Sequence, residues 1–250
     1  MDDTTLFCAG STQAVRHSAD ILSRKGITIV YEPCDAVTCV LLDIPSIGPT
    51  NDLRDGKCLR GLLDALPNEA VIIGGGLDHP LLKGRKKYDL LKKEGYLKEN
   101  ARITAYCALH IITGALPVTL EDCPVLVIGW GRIGKILTSL LVRLGAHVTV
   151  ATRDIRSMAS LAKLGISAVL TDSIDPQKFK LILNTAPAPV LSAEALDVNA
   201  GAVKIDLASI KGLAGDDVIW ARGLPGLYAP ESSGTLIARY VLDYLKEDIL

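Results

Sequence analysis

One stretch, from Pro124 to Asp154, constrains the fold more than any other: PVLVIGWGRIGKILTSLLVRLGAHVTVATRD. Val125, Leu126, Val127 and Ile128 form an apolar run suited to a strand buried on both faces. The run stops at Gly129, Gly131 and Gly134, which are spaced G-x-G-x-x-G. Ile133, Ile136, Leu137, Leu140, Leu141 and Leu144 then recur at intervals of three and four, on one face of a helix that Gly145 stops. A second strand, His147 to Ala151, follows. In this strand–turn–helix–strand context Gly129 permits a tight turn, Gly131 admits a pyrophosphate close to the backbone, and Gly134 lets the helix lie close on its strand. The N–H groups at the helix N-terminus face the anion. Trp130, Arg132 and Ile133 complete this candidate cofactor loop. The alternative is a purely structural βαβ turn.

The end of the second strand bears on which dinucleotide is bound. An NAD site usually places Asp or Glu there, about 20 residues beyond the first glycines, to hold the ribose hydroxyls. Here that place holds Thr152 and then Arg153, with Arg156 as a second cation. A hydroxyl beside a guanidinium suits a 2′-phosphate that a carboxylate would repel, so NADP is favoured over NAD. A small shift of the strand end would hand the ribose to the carboxylate of Asp154 instead.

With 250 residues and 49% hydrophobic content the chain has material for one large or two small domains. A net charge of −1 with 27 Lys plus Arg argues against a nucleic-acid binder. The densest basic run, Lys83 to Lys93, reads as a solvated helix face. No apolar stretch is long enough to span a membrane and the acidic start lacks a signal peptide's basic region, so the expectation is a cytoplasmic protein. Six cysteines without a C-x-x-C pair read as buried thiols, and four scattered histidines suggest no metal site.

Before this stretch the chain reads as a smaller α/β domain. Strands are expected at Thr5–Ala9, Ile27–Tyr31, Ala36–Leu42 and Ala70–Ile73, and helices at Gln13–Lys25, capped by Ser11, and Leu59–Leu66. Asp43 to Arg60 reads as a surface loop. Gly74-Gly75-Gly76 is either a second place where backbone meets ligand or a flexible turn. Asn100 to Leu116 reads as a linking helix with Ile103, Tyr106, Cys107, His110 and Ile111 on one side, His110 as a core histidine. From Leu120 six strands are expected to open at Val125, His147, Ala168, Leu181, Val203 and Val218, giving a doubly wound parallel sheet. Gly223 to Pro230 is too rich in Gly and Pro to be regular, and Ser232 to Leu245 reads as a final helix. The expectation is a two-domain dehydrogenase: a 1–115 substrate-side domain, joined by the helix of 232–250, and a 116–231 Rossmann domain.

VIGWGRIGK, ATRD, LILNTAPAPVL, KIDLAS and above all GLPGLYAPESSG together resemble the family of the dehydrogenase-like A subunit of dipicolinate synthase, from about Ile103 to Leu245. Before Ala70 the likeness is weak and this chain is the shorter. The resemblance implies NADP-linked oxidation of dihydrodipicolinate, a cyclic dicarboxylate of the diaminopimelate pathway, to dipicolinate during sporulation. It also implies a flavoprotein-like B subunit. Aromatisation drives that reaction, so it needs positioning more than a strong base, and no catalytic side chain is assigned. Carried over, Asn184, Thr185 and Ala186 meet the nicotinamide ribose, or form a plain turn. Asp206, Leu207 and Ala208 lie beside the nicotinamide, or Asp206 is a structural carboxylate capping local N–H groups. Substrate candidates are Ser232, Ser233 and Gly234, which otherwise are only an N-cap, with Arg102, Thr104, Ser11 and Gly75. Ile210-Lys211-Gly212 and Tyr106 depart from the family pattern.

Two other functions compete. A 2-hydroxy-acid dehydrogenase needs a histidine acid–base, and none lies after His147. A subunit that binds the dinucleotide without turnover accords with the altered segment around Lys211. Homo-oligomerisation, as a dimer, is an expectation from the fold alone.

Overall fold

The computed structural model describes residues 4–247, which divide into two units, one running to Asn100 and resuming from Pro225, the other Ala101–Leu224. The chain runs β1 (Thr5–Cys8), α1 (Gln13–Arg24), β2 (Thr28–Val30), β3 (Cys39–Leu41), α2 (Leu59–Asp64), β4 (Val71–Gly74), β5 (Lys87–Asp89) and α3 (Glu94–Ala115). It continues through β6 (Pro124–Ile128), α4 (Arg132–Arg143), β7 (His147–Thr152), α5 (Ile155–Lys163), β8 (Ser167–Leu170) and β9 (Leu181–Asn184). Last come α6 (Ala193–Asp197), β10 (Val203–Asp206), β11 (Ile219–Trp220), α7 (Leu224–Tyr228) and α8 (Pro230–Glu247).

In the first unit five parallel strands lie in the order β2-β1-β3-β4-β5, a doubly wound arrangement. Phe7, Val40, Leu42 and Ile72 enter one core with Leu59, Leu63 and Leu82. On α1 the apolar spacing buries Ala14, Val15, Ala19 and Leu22. Its N-cap is Thr12 rather than Ser11: the Thr12 hydroxyl, next to the first helical residue, accepts from the Val15 N–H while donating to Asp43, and Ser11 donates to Asp43 alone. α8 packs on α1 through Gly234, where a Cβ would stand 2.5 Å from the Ala14 carbonyl oxygen.

Three expectations are corrected in this unit. The basic run Lys83–Lys93 is no helix face: Lys87–Asp89 pairs with β4, and Tyr88 and Asp89 are buried. Tyr88 stacks on Tyr244 of α8 at 4.3 Å between ring centroids, and burial raises its phenol to about 12. Aromatic burial outweighs the flanking lysines, which stay in water. The Gly- and Pro-rich segment before α8 forms the short helix α7, because Pro225 sits in the first turn, where its missing N–H is not needed. α8 itself begins at Pro230 rather than at Ser232.

The second unit holds six parallel strands in the order β11-β10-β9-β6-β7-β8. Leu126 and Ile128 of β6 enter a core with Ala151, Ile182, Leu196 and Leu213. Burying side chains of this size stabilises by about 1.5–3 kcal/mol each. Helices cross over between β6 and β7, β7 and β8, and β9 and β10, whereas β8 and β9 are joined by two 3-10 turns. α3 starts at Glu94 and buries Ala101, Ala105, Ala108 and Ile112. The buried stripe is therefore rotated from the expected one, and His110 and Tyr106 are exposed rather than in the core. Three alanines, with Cys107 and Ile112, mark the buried side.

Among the described residues no helix is long and apolar enough to cross a membrane, and no group of three or more His, Cys, Asp or Glu is arranged to hold a metal. All six cysteines are free thiols. Cys34 and Cys58 are exposed and the other four buried.

Candidate functional site

The second sheet reverses direction of winding between β6 and β9, and ligands of such sheets bind outside the carboxyl ends of the strands at that point. The glycine loop lies there. Gly129 has φ +100°, and a Cβ on it would stand 2.7 Å from Thr185 Oγ1. A Cβ on Gly134 would stand 2.1 Å from the Gly129 carbonyl oxygen, so α4 sits against its strand as only glycine allows. A Cβ on Gly131 would meet nothing within 4 Å. Gly131 is the N-cap of α4 and offers no side chain to its first-turn N–H groups. The next helices in the unit are capped, α5 by Asp154 and α6 by Ser192. α4 is thus left bare of a cap at the switch point, with open space before it. The half-buried Trp130 carries the Lys135 ammonium over its ring, 5.8 Å from the centroid, and Ile133 is half-buried while Arg132 is exposed.

β7 ends at Thr152. Its hydroxyl is buried and accepts from the Asp154 N–H at 3.2 Å. Asp154 is committed elsewhere: its oxygens accept from the Arg156 N–H at 3.0 Å and from Ser157 Oγ at 2.9 Å. The Arg156 N–H, then the Ser157 hydroxyl, hold its carboxyl below the usual carboxylate range. Arg153 and Arg156 are exposed beside this turn, and among the described residues the Arg153 guanidinium takes no hydrogen bond or ion pair.

At the ends of β9 and β10 the polar side chains are consumed internally. Thr185 Oγ1 donates to the Ile128 carbonyl at 2.9 Å, tying β9 to β6. Asn184 is fully buried; its amide donates to the Ala186 carbonyl at 3.0 Å and to Asp206, and its carbonyl accepts from the Ala186 N–H at 3.0 Å. Asp206, also fully buried, accepts from the N–H groups of Ala208, Gly212 and Leu213 at 2.9, 2.6 and 2.9 Å. Of the two roles open to Asp206, the geometry is that of a structural carboxylate collecting backbone N–H groups. Leu207 and Ala208 are buried beside it.

The substrate candidates divide between the units. In the first, the Ser11 hydroxyl donates to Asp43 at 2.9 Å, and the Gly75 N–H to Ser46 Oγ at 3.0 Å. Asp89 accepts the Gly76 and Leu77 N–H groups at 3.0 and 2.9 Å, so the glycine cluster closes on its own unit. Ser233 is buried and its N–H donates to the Ala229 carbonyl at 3.0 Å; Ser232 is exposed on the same turn. In the second unit Arg102 is exposed and Thr104 buried on α3. Sequence reasoning passed over Asp43, Ser46 and Asp89. A carboxylate or hydroxyl just past an apolar strand was the available signal, since parallel strands leave backbone N–H groups in need of acceptors at that edge.

The order of the six strands and the glycine turn define the doubly wound Rossmann class of α/β protein. Within that class the chain is similar to the A subunit of dipicolinate synthase. That protein from Bacillus subtilis (strain 168) is 26% identical over 205 residues, 74% of this chain and 68% of the relative. The crystal structure of the dipicolinate synthase A subunit from Bacillus halodurans superposes with a TM-score of 0.83 at 21% identity, covering 97% of this chain and 98% of that one. The dipicolinate synthase A chain from Bacillus subtilis gives 0.80 at 19% identity, covering 99% and 97%. No family model matches the chain.

Proposed function

We propose that the chain is a dinucleotide-dependent oxidoreductase of the dipicolinate synthase A type, working in the cytoplasm. It takes NADP across the carboxyl edge of the second unit's sheet and oxidises dihydrodipicolinate to dipicolinate. The observation that carries the reading is the uncapped N-terminus of α4 behind Gly131, with Gly134 seated on Gly129. Residues 129–134 hold the pyrophosphate, and Arg153 with Arg156 supply the positive charge for a 2′-phosphate. Bound NADP supplies the hydride acceptor. The chain's own part is orientation. The Asn184 amide and the Asp206 carboxylate are both spent on internal hydrogen bonds, Asn184 itself donating to Asp206, so Asp206 does not serve as a base, and the reaction relies on ring placement and aromatisation. Arg102, exposed on α3 in the same unit as the glycine turn, is the candidate for a substrate carboxylate. Self-association and a flavoprotein-like second subunit belong to the same proposal.

Titration of the native chain with NADP and NAD, repeated on Arg153→Ala, tests the cofactor assignment. A selective loss of NADP affinity is expected, and equal loss for both dinucleotides refutes the phosphate role. Turnover is read as nicotinamide absorbance with dihydrodipicolinate made in situ, with and without a flavoprotein subunit. No change in either condition refutes the oxidation. The saturation of Asn184 and Asp206 also favours a second reading, a subunit that binds the dinucleotide without turnover, which binding without absorbance change would select.

A further inference from the structure

Segment 207–218 joins β10 to β11 and carries the Ile210-Lys211-Gly212 departure from the family pattern. It is short of regular structure, yet both its ends are fastened to one face of β10. Lys204 and Asp206 stand two residues apart, hence on the same face of that strand. Asp206 takes the N–H groups of Ala208, Gly212 and Leu213, and the buried Lys204 ammonium pairs with Asp217. Among the described residues only donors converge on Asp206, the set that a carboxylate satisfies and an amide does not. The segment is fastened to its neighbour as well. The Val190 N–H donates to the Gly212 carbonyl at 2.8 Å, and a Cβ on Gly212 would stand 2.4 Å from the Ala188 carbonyl oxygen. The exposed tip is Ser209, Ile210 and Lys211, and Lys211 Nζ closes back on the Gly215 carbonyl at 3.1 Å.

The geometry points to Lys204 and Asp206 as a two-point anchor that fixes the 184–191 and 207–214 loops over the half of the sheet built from β9, β10 and β11. This inference rests on the dinucleotide reading. A doubly wound sheet binds one mononucleotide per half, and the glycine turn and Arg153 belong to the β6–β8 half. Asp206 is then a positioning residue for the nicotinamide end, and it touches no ligand itself. Preorganised loops spare the ligand the ordering entropy of closing them, so the anchor acts on affinity for the second mononucleotide alone.

The experiment compares Asp206→Asn with the native chain in calorimetric titrations of NADP and of 2′,5′-ADP, which carries only the adenosine half. Amide hydrogen exchange at Ala208, Gly212 and Leu213 is followed without ligand. The expected result is about a tenfold or greater loss for NADP, with 2′,5′-ADP held within about twofold, and loss of protection at the three amides. Gly212→Ala displaces the same loop while leaving the carboxylate, so the same selective loss is expected there, and it serves if Asp206→Asn fails to fold. Equal weakening of both ligands, or amides that stay protected in Asp206→Asn, overturns the inference. If the native chain binds neither ligand, the dinucleotide reading fails, and the exchange measurement still decides whether Asp206 anchors the loop.

Discussion

Gly131 and Gly134 stand three residues apart in one turn, and the structure gives alanine at each a different consequence. At Gly134 the added methyl would lie 2.1 Å from the Gly129 carbonyl oxygen and 3.0 Å from Thr185 Oγ1. Carbon–oxygen contact requires a retreat of about 1 Å from a strand whose neighbours are packed, a strain at the upper end of the overpacking range, about 2–3 kcal/mol. Alanine's better helix propensity offsets about 1 kcal/mol of this. The net loss of about 1–2 kcal/mol lowers the melting temperature by roughly 2–8 °C for a chain of this size. At Gly131 φ is −84° and the methyl meets no protein atom within 4 Å, so the fold tolerates it at the cost of about 0.5 kcal/mol in N-cap preference. That methyl enters the space before α4, where the pyrophosphate approaches, and an affinity loss of about tenfold or more is expected. Thermal unfolding followed by circular dichroism, with NADP titration of each variant, separates the two. The reasoning is refuted if Gly134→Ala melts at or above the native temperature, or if Gly131→Ala binds NADP as the native chain does.

The first unit has its own keystone. Asp43 accepts from the Ser11 and Thr12 N–H groups, both at 3.0 Å, and from their hydroxyls at 2.9 and 2.7 Å, so Asp43→Ala strands these donors and should cost about 2–3 kcal/mol, read as a lower urea midpoint with unchanged slope. The thiols should react in two classes: with a disulfide reagent at pH 8, Cys34 and Cys58 titrate in the native protein and the four buried cysteines only after denaturation. Burial, and for Cys8 also the Asp43 carboxylate, raises Cys8 and Cys39 from 9.0 to about 11. Above pH 9 the unfolded chain loses these protons first, so the stability is full below 9 and falls as pH rises towards 11. Replacing either cysteine by alanine should flatten that fall in urea titrations, and an unchanged slope against pH would count against the assignment.

The departures between sequence reading and structure share a cause. Lys83–Lys93 looked solvated because five lysines and an arginine outnumber its apolar residues, but pairing with β4 and stacking of Tyr88 on α8 are long-range contacts that no local pattern reports. Large residues point to one face of α3, whereas Ala101, Ala105 and Ala108 line the buried side, since close packing selects small residues. Ser11 and Thr12 are equal candidates for a cap by residue type; Asp43, thirty-one residues beyond Thr12, accepts from both hydroxyls, and only that of Thr12, adjoining the first helical residue, also takes the Val15 N–H.

In the stretch Pro124–Asp154 the sequence alone determined the strand, the glycine turn and the helix. Those depend on dihedral preferences and on a periodicity that spans only neighbours. It also determined six parallel strands and the resemblance to the dipicolinate synthase A subunit, because strand runs and motif residues are local. Only the tertiary structure decided which polar groups at the strand ends are spent and which are left. Asp43 and Asp89 satisfy backbone N–H groups twelve or more positions away and Asp206 those of the segment that follows it, while the first turn of α4 has no side-chain cap at Gly131 and the Arg153 guanidinium has no hydrogen bond or ion pair among the described residues. A carboxylate at a strand end reads the same in either case. What distinguishes a structural group from a binding group is the set of donors folding brings to it, and that set is fixed by the packing of distant segments.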